Sequence, residues 1–456
     1  MAVHLPTHVV VVPYPSRGHI NPMMNLCKLL VSKNPNNILV TFVVTEQWLA
    51  STASEPKPHN ITLASVPDLG ASADAFNDVV EAVMTEMEAP LESLLDGLHA
   101  PPTVMICDAF LFWAVGVGNR RNIPVAAFWT TNTSELWVQY FHIFQQNEQH
   151  SVCHGKMLDY IPSISWIRRA DIPLLNGNNR QILQWALKSC EWLPKAQYLL
   201  LPSIYELEPQ VIDALKANLS IPIYTIGPNI PYFSLGDNSC YTNNNGVVNN
   251  GASHGYLDWL DHQPKCSVLY ISHGSYLSIS SAQMDEISNA LHDSKVRFLW
   301  VTRGETPRLK EICCGHMGLV VPWCDQLRVL LHPSVGGYWT HCGWNSVIEG
   351  VFAGVPFLTF PIAMDQPLIS KLIVEDWKVG WRVKKDDKLD TLVRRDEIVV
   401  LLRKFMELDS DVGRDMRKRA KELQHMAQVA ITKNGSSETN IKAFMKNIVQ
   451  SGSNRV

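Results

Sequence analysis

The 456-residue sequence lacks the features of several large protein classes. No apolar run approaches the roughly 18 residues that a membrane-spanning helix needs. The formal net charge of −4 is nearly balanced, whereas a general nucleic-acid binder would carry a basic surface. The ten cysteines include no CxxC pair, and no spaced His/Cys cluster indicates a zinc site. These absences argue against an integral membrane segment, a nucleic-acid partner and a structural metal.

The N-terminus also lacks two common signals. It has no basic start, and its apolar run Val9–Val12 is too short for a signal peptide, so we expect a cytoplasmic protein with reduced cysteines. The turn after this run, in VVVVPYPSRGH, lacks the G-x-G-x-x-G fingerprint. A dinucleotide-dependent dehydrogenase is therefore disfavoured.

Short apolar runs alternate with longer helical stretches in two series. The first series predicts strands at His8–Val12, Ile38–Val44, Ile61–Val66, Val104–Cys107 and Val125–Trp129, and helices at Pro22–Val31, Ala73–Leu98 and Leu111–Asn119. The second series predicts strands at Val268–Ile271, Phe298–Val301, Gly318–Val321, Gly337–Trp339 and Phe357–Phe360. Continuously apolar strands between helices indicate parallel sheets covered on both faces, so both halves are predicted to be α/β domains.

A polar segment separates the two series. GDNSCYTNNNGVVNNGASHG, Gly236–Gly255, is rich in Asn, Gly and Ser and is predicted to be an exposed linker. Open α/β sheets bind ligands outside the carboxyl ends of their strands. Functional residues are therefore expected in the turns that follow strands.

One such turn, WTHCGWNSVIEG, contains a mixture of residues that core packing does not require. Gly343 would let the backbone approach a ligand closely. Asn345 and Ser346 would begin a helix, whose free N–H groups and dipole favour an anion. His341 adds a donor, and Glu349 could reach a sugar hydroxyl. Taken alone, the turn is better interpreted as an ordinary helix N-cap.

The wider segment WCDQLRVLLHPSVGGYWTHCGWNSVIEGVFAGVPFLTFPIAMDQ, Trp323–Gln366, closely resembles the 44-residue signature of plant family 1 UDP-glycosyltransferases. It matches in Trp-x-x-Gln, H-P-S-V-G-G, T-H-C-G-W-N-S, E-G, G-V-P and the closing D-Q, with the spacing preserved. GHINP, CDAF, FWT and HGS extend the resemblance over most of the chain.

The resemblance implies the GT-B fold, with two Rossmann-like domains facing across a cleft. An acceptor-binding domain would occupy residues 1–235 and a UDP-sugar-binding domain residues 256–433, joined by the linker 236–255. A C-terminal helix within 434–456 would pack back on the first domain.

The resemblance also implies a role for each matching residue of the donor site. Residues that would contact the uracil and the ribose are Trp323, Cys324, Gln326 and Glu349. Residues that would contact the diphosphate are Ser275, His341, Asn345 and Ser346, and Gly343 is a further donor-binding residue. Residues that would contact the sugar are Thr130, Trp344, Asp365 and Gln366. A final Gln commonly accompanies glucose in this family, so UDP-glucose is the expected donor.

His19 and Asp108 are the predicted catalytic pair. Each follows or ends a predicted strand, although a lone histidine is usually structural and Asp108 could be a helix cap. The resemblance pairs them. A neutral imidazole would take the proton of an acceptor hydroxyl while Asp108 fixes its tautomer. Attack opposite UDP would invert the anomeric configuration.

Aromatic residues crowd the first domain, and most of them are expected in the core. The resemblance implies that the acceptor pocket lies in this region, and an apolar pocket suits a small lipophilic phenolic, flavonoid or terpenoid. A hydroxyl, a carboxyl or even a carbon could accept the sugar. No cofactor is expected beyond UDP-glucose as co-substrate. Asp409-Ser410-Asp411 forms a D-x-D, but it begins a charged stretch that is typical of a solvated helix, so no metal is expected.

We expect a monomer. The alternative is a non-catalytic nucleotide-sugar-binding protein, against which the intact pair counts. Three places depart from the family pattern and leave fine donor selectivity open: Arg17, where Gln is commoner, His273, where Phe is usual, and Ala363-Met364, where a bulky aromatic is frequent.

Overall fold

The computed structural model describes residues 6–70, 76–147, 171–172, 180–234, 255–274, 279–302, 306–313, 317–384 and 391–453. The chain divides into two compact units. The first contains residues 1–163, 177–229 and 430–456, and the second contains residues 164–176 and 230–429. Of the predicted linker, only Gly255 is among the described residues. The chain passes from the first unit to the second between residues 229 and 230, whereas the sequence analysis ended the first domain at 235.

The first unit is built on a parallel sheet of seven described strands. The strands, β1 to β7, are Thr7–Val12, Ile38–Thr45, Ile61–Val66, Val104–Asp108, Val125–Phe128, Tyr198–Leu201 and Ile223–Thr225. The helices, α1 to α8, are Arg17–Lys33, Glu46–Thr52, Phe76–Glu86, Glu88–Asp96, Phe112–Arg120, Thr133–Asn147, Arg180–Trp192 and Pro209–Asn218. The spatial order is β3-β2-β1-β4-β5-β6-β7, so the order reverses between β1 and β4.

The second unit is built on a parallel sheet of six described strands. The strands, β8 to β13, are Val268–Ser272, Arg297–Val301, Gly318–Val321, Val335–Thr340, Phe357–Thr359 and Gly380–Arg382. The helices, α9 to α16, are Gly255–Asp261, Ser281–Ser294, Thr306–Cys313, Gln326–Leu330, Trp344–Ala353, Gln366–Lys371, Arg395–Met406 and Asp411–Ala430. The spatial order is β10-β9-β8-β11-β12-β13, which reverses between β8 and β11.

Burial explains why the strand pattern was readable from the sequence. Every residue of β1 and β4 is buried, and Val9–Val12 have no exposed surface. In the second unit, Leu269, Ile271, Trp300 and Trp339 pack into one core. Strands covered by helices on both faces have no polar side, so they stay apolar throughout.

The predicted elements agree with the observed ones except in three respects. All ten predicted strands overlap observed strands, with ends that differ by at most two residues. The short strands β6, β7 and β13 were not predicted, because three or four residues give little periodic signal, and neither were the helices α2, α6, α7 and α8. The predicted helix Ala73–Leu98 is two helices, α3 and α4, with the break before Pro90, which is tolerated in the first turn of α4. Residues 73–75 lie outside the described residues.

The third difference concerns α1, which begins at Arg17 and not at Pro22. The N–H groups of His19 and Ile20 both donate to the carbonyl of Ser16, which closes the first turn. His19 therefore lies on the first turn of a helix and not in a loop, and Pro22 lies inside the helix.

The last helix, α17 (Ser436–Ser453), packs against the first unit. The Asn440 amide donates to the carbonyl and the hydroxyl of Thr225 at 3.1 and 2.7 Å. The Phe444 ring lies 5.7 Å from that of Tyr224 and 5.8 Å from that of Tyr198. The segment that belongs to the first unit begins at residue 430, slightly before the predicted 434.

Candidate active site

The first group of candidate residues lies at the point where the strand order of the first unit reverses. His19 follows β1, and Asp108 ends the neighbouring strand β4. The His19 Nδ1 and Asp108 Oδ2 atoms are 2.6 Å apart. The other carboxylate oxygen of Asp108 accepts the N–H of Phe110 at 3.0 Å. Each oxygen of this fully buried carboxylate therefore has a donor, which offsets its loss of hydration.

The hydrogen bond to Asp108 selects the tautomer of His19. Because a carboxylate only accepts, Nδ1 carries the hydrogen and Nε2 keeps a lone pair. The side chain of His19 is 25% exposed, whereas that of Asp108 is fully buried. The arrangement therefore presents a basic nitrogen on a ring that solvent or a substrate can reach.

Thr130 contacts the same imidazole, which sequence reasoning did not anticipate. Its hydroxyl oxygen lies 3.0 Å from His19 Nδ1, and the residue is 5% exposed. Thr130 comes shortly after β5, and β5 pairs with β4. Its predicted contact with the donor sugar stays a prediction.

Two aromatic rings lie beside His19. The ring centroids of Tyr14 and Phe110 lie 5.1 and 6.0 Å from the imidazole centroid. Phe110 packs in turn on Trp129, at 4.8 Å. Trp129 has no exposed surface and Trp137 is 4% exposed, so these two tryptophans are core residues.

A second group lies where the strand order of the second unit reverses. His341 follows β11, and Gly274 follows the neighbouring strand β8. A Cβ atom on Gly274 or on Gly343 would come within 2.6 Å of His341 Nε2. Gly274 also has a φ of +85°, which side chains rarely adopt. The two glycines therefore leave the space that the His341 ring occupies.

The helix α13 begins directly after this ring. Gly343 is its N-cap and provides no side-chain cap, and Trp344, Asn345 and Ser346 form the first turn, which has no acidic residue. A helix leaves the N–H groups of its first turn without intrahelical partners, and its dipole favours an anion there. The geometry fits the diphosphate role that the resemblance implies for His341, Asn345 and Ser346.

Both the oxygen and the nitrogen of the Gln326 side-chain amide form hydrogen bonds within the protein. Its oxygen accepts the hydroxyls of Tyr270 and Tyr338, each at 3.1 Å. Its nitrogen donates to the Glu349 carboxylate at 2.8 Å and to the Ser346 hydroxyl at 3.2 Å. The two buried tyrosines, which sequence reasoning missed, thereby orient Gln326 towards Glu349.

Removal from water raises the pKa of Glu349 from 4.5 to about 7. The hydrogen bond from Gln326 acts in the opposite direction, and the nearby Asp325 charge adds to the increase. Burial lowers the pKa of His341 to about 4, so this imidazole is neutral near pH 7. Of these two groups, Glu349 is the one whose pKa lies near neutral pH.

This pKa predicts a pH dependence of UDP-glucose binding. If ribose hydroxyls donate to ionised Glu349, the affinity should fall about tenfold from pH 8 to pH 6, because the carboxylate is protonated below about 7. Isothermal titration calorimetry across this range measures it. Glu349→Gln should bind more weakly and without this pH dependence. An unchanged pH dependence in Glu349→Gln would assign the titration to another group.

The other predicted donor residues lie as follows. Trp323 is 56% exposed, as a stacking platform requires, and Cys324 is buried beside Tyr270. The Gln366 side-chain oxygen accepts the N–H groups of Ile362 and Ala363 at 2.8 and 3.0 Å, which leaves its NH₂ group to donate. Asp365 is the N-cap residue of α14, and Trp344 is buried. Ser275 lies outside the described residues.

His273, which departs from the family's Phe, lies in an aromatic enclosure. The rings of Trp300, Trp339 and Phe360 meet its imidazole at steep angles, with centroids 5.7 to 6.2 Å away. Burial lowers the pKa of His273 to about 3, so the ring is neutral. It therefore packs much as a phenyl ring would.

The D-x-D motif begins a helix, as the sequence indicated. Asp411 is the first residue of α16 and forms an ion pair with Arg414 at 2.5 Å. In the described part of the chain, no three His, Cys, Asp or Glu side chains are grouped so as to hold a metal. Within the same residues, no helix combines the length and apolar character that crossing a bilayer requires.

Comparison with known proteins finds a family model and several relatives that match this chain. Residues 248–384 match the family model described as UDP-glucoronosyl and UDP-glucosyl transferase. The chain is 45% identical to UDP-glycosyltransferase 87A1 of Arabidopsis thaliana, over 96% of this chain and 99% of that protein.

Two solved structures are similar over almost the whole chain. Os79 from O. sativa, in complex with UDP, has a TM-score of 0.81 and 26% identity, over 96% of this chain and 100% of that one. UGT71G1 of Medicago truncatula, complexed with UDP-glucose, has a TM-score of 0.80 and 25% identity, over 97% and 98%. These similarities and the two parallel sheets confirm the predicted GT-B fold with Rossmann-like domains.

Proposed function

Because the chain belongs to the plant family 1 UDP-glycosyltransferases, and is therefore a UDP-sugar-dependent transferase, we propose that it transfers glucose from UDP-glucose to a small lipophilic acceptor with inversion. The observation that carries the proposed mechanism is the 2.6 Å hydrogen bond between His19 and the fully buried Asp108. It supplies an oriented base, which a protein that only binds nucleotide sugars does not need.

In the proposed reaction, His19 Nε2 accepts the proton of an acceptor hydroxyl. The acceptor oxygen attacks the anomeric carbon from the face opposite UDP, and a new C–O bond forms as the bond to the diphosphate breaks. UDP leaves with the electron pair of that bond. Asp108 stabilises the imidazolium that forms. An α-linked donor therefore gives a β-glucoside.

The negative charge that develops on the leaving diphosphate is stabilised by hydrogen-bond donors. The first turn of α13 offers N–H groups, and Ser346 offers a hydroxyl. The neutral His341 can add an N–H donor. These groups are fixed before the reaction, so they lose little energy to reorganisation. In this proposal, UDP-glucose is the co-substrate, and neither a metal nor a further cofactor takes part.

The surroundings of His19 support a lipophilic acceptor. Tyr14 and Phe110 flank the imidazole, and aromatic rings favour apolar molecules such as phenolics, flavonoids and terpenoids. A carboxyl acceptor would give an ester by the same route. It would need less help from the base, because a carboxylate is already ionised near neutral pH.

Incubation with UDP-glucose and a mixed panel of flavonoids, terpenols and phenolic acids tests this function. We expect a glucoside by mass spectrometry, a β-linkage by NMR, and the same rate in the presence of EDTA. The alternative, a non-catalytic nucleotide-sugar-binding protein, would bind UDP-glucose and yield no glycoside with any member of the panel. An α-linked product would contradict inversion.

A further inference from the structure

Glu208 is a buried carboxylate that the proposed mechanism does not use. We propose that Glu208, acting through the first turn of α6 and Thr130, is a positioning residue that holds His19 together with Asp108. This inference rests on the proposed function, because it assumes that His19 is the base.

Four hydrogen bonds converge on Glu208, which is 4% exposed. One carboxylate oxygen accepts the N–H of Ser134 at 2.8 Å and its hydroxyl at 2.7 Å. The other accepts the N–H of Thr133 at 3.1 Å and the hydroxyl of Ser203 at 2.7 Å. Three of the four donors thus belong to the first two residues of α6.

Such an arrangement fixes the start of a helix. The first N–H groups of α6 lack intrahelical acceptors, and the positive end of the helix dipole lies there. A carboxylate supplied by another element satisfies both, and hydrogen bonds to a charged group are stronger than neutral ones. Glu208 immediately precedes α8, so the bonds join the starts of two helices.

Thr130 lies on the short connection between β5 and α6. This connection ends at the four hydrogen bonds to Glu208, which we call the Glu208 clamp. At the other end of the connection, the backbone N–H of Trp129 donates to the Leu200 carbonyl at 3.0 Å. The Trp129 indole also donates to the carbonyl of Asn132, at 3.2 Å. The backbone that carries Thr130 is therefore held on both sides, by β6 before it and by Glu208 after it.

The clamp matters because of what Thr130 contacts. Its hydroxyl lies 3.0 Å from His19 Nδ1, the nitrogen that also bonds Asp108. The imidazole is thus held from two neighbouring strand ends, β4 and β5. A second acceptor at Nδ1 restricts rotation of the ring, aims Nε2, and stabilises the imidazolium that forms in the reaction.

The test uses Glu208→Gln and Thr130→Val, each alone and together. A glutamine has the same shape, but its NH₂ group would replace an oxygen that accepts two of the four donors, one of them a backbone N–H, so the clamp should loosen. We expect kcat to fall by about tenfold in each single variant, with the KM for UDP-glucose within about twofold in Glu208→Gln.

The double variant separates positioning from general damage. If Glu208 acts through Thr130, the two losses should not multiply. The kcat of the double variant should then lie within about twofold of the kcat of the slower single variant. Ser203→Ala is the matched control, since it removes one bond to Glu208 without touching α6, and it should keep kcat within about twofold. Thr130→Ser restores the hydroxyl and should recover most of the rate.

Several outcomes would overturn the inference: single-variant losses that multiply in the double variant, a wild-type kcat in Glu208→Gln, or a loss in Ser203→Ala that equals that of Glu208→Gln. If Glu208→Gln does not fold, Thr130→Val and Thr130→Ser decide, and equal rates in the two would refute it. Full turnover in a His19→Ala variant would instead refute the proposed base.

Discussion

Replacement of His19 by Ala should lower kcat for glucosyl transfer by about a thousandfold, the range of a positioned general base. UDP-glucose affinity should stay within about twofold, because the predicted donor residues other than Thr130 belong to the second unit. Steady-state kinetics with the best acceptor of the panel and calorimetry with UDP-glucose measure the two effects. His99→Ala is the matched control: an exposed histidine in the same unit, with the same truncation and no expected effect.

Asp108→Asn should cause a loss of the same order by a different route. The amide could turn its NH₂ group towards Nδ1, which would leave the hydrogen of the neutral imidazole on Nε2, the nitrogen that must accept a proton. The shape of the site would stay almost the same, so donor affinity should again be unchanged. Turnover near the wild-type rate in either variant would show that another group removes the proton.

The second large effect concerns Gly343. A Cβ atom there would lie 2.6 Å from Nε2 and 3.0 Å from Cε1 of His341, and contacts this short require the ring to move. Displacement would remove a predicted diphosphate donor and place a methyl group at the start of α13. We expect Gly343→Ala to weaken UDP binding by about a hundredfold, roughly the loss of two charge-assisted hydrogen bonds.

Isothermal titration calorimetry of the Gly343→Ala variant with UDP measures this loss of affinity. Gly255→Ala is the matched control in the same unit, because a Cβ atom at Gly255 would meet no other atom within 4 Å. It should bind UDP as the wild type does. If Gly343→Ala also retained wild-type affinity, the diphosphate would have to bind away from the start of α13.

Much of this fold was predictable because its signals are local. Continuous apolar runs such as Val9–Val12 predict buried parallel strands, and the ends of the predicted strands agree to within two residues. The signature that ends at Gln366 placed a glycine, a histidine and an Asn-Ser pair at one strand-to-helix turn, and the structure has that turn. Family and fold therefore followed from residues that are close together in the chain.

Local signals failed where an element is short or where its end depends on distant partners. The strand β13 has three residues, too few for a periodic pattern. The start of α1 was placed too late because Pro22 resembles a first-turn proline, whereas Ser16 accepts the first bonds of the helix. Glu208 carried no signal at all, since its importance comes from donors at Thr133 and Ser134, which are distant in the chain.

By itself, then, the sequence determined the two parallel α/β sheets, the family, and the residue types at the ends of the strands. Apart from the His19–Asp108 pair, which the resemblance predicted, only the tertiary structure decided which of those residues meet. His19 and Asp108 are 89 positions apart and become neighbours because β1 pairs with β4. Thr130 joins them because β5 pairs with β4. Gln326 donates to Glu349 while its oxygen accepts the hydroxyls of Tyr270 and Tyr338. Strand order is set by packing over the whole sheet, so no local pattern contains these contacts.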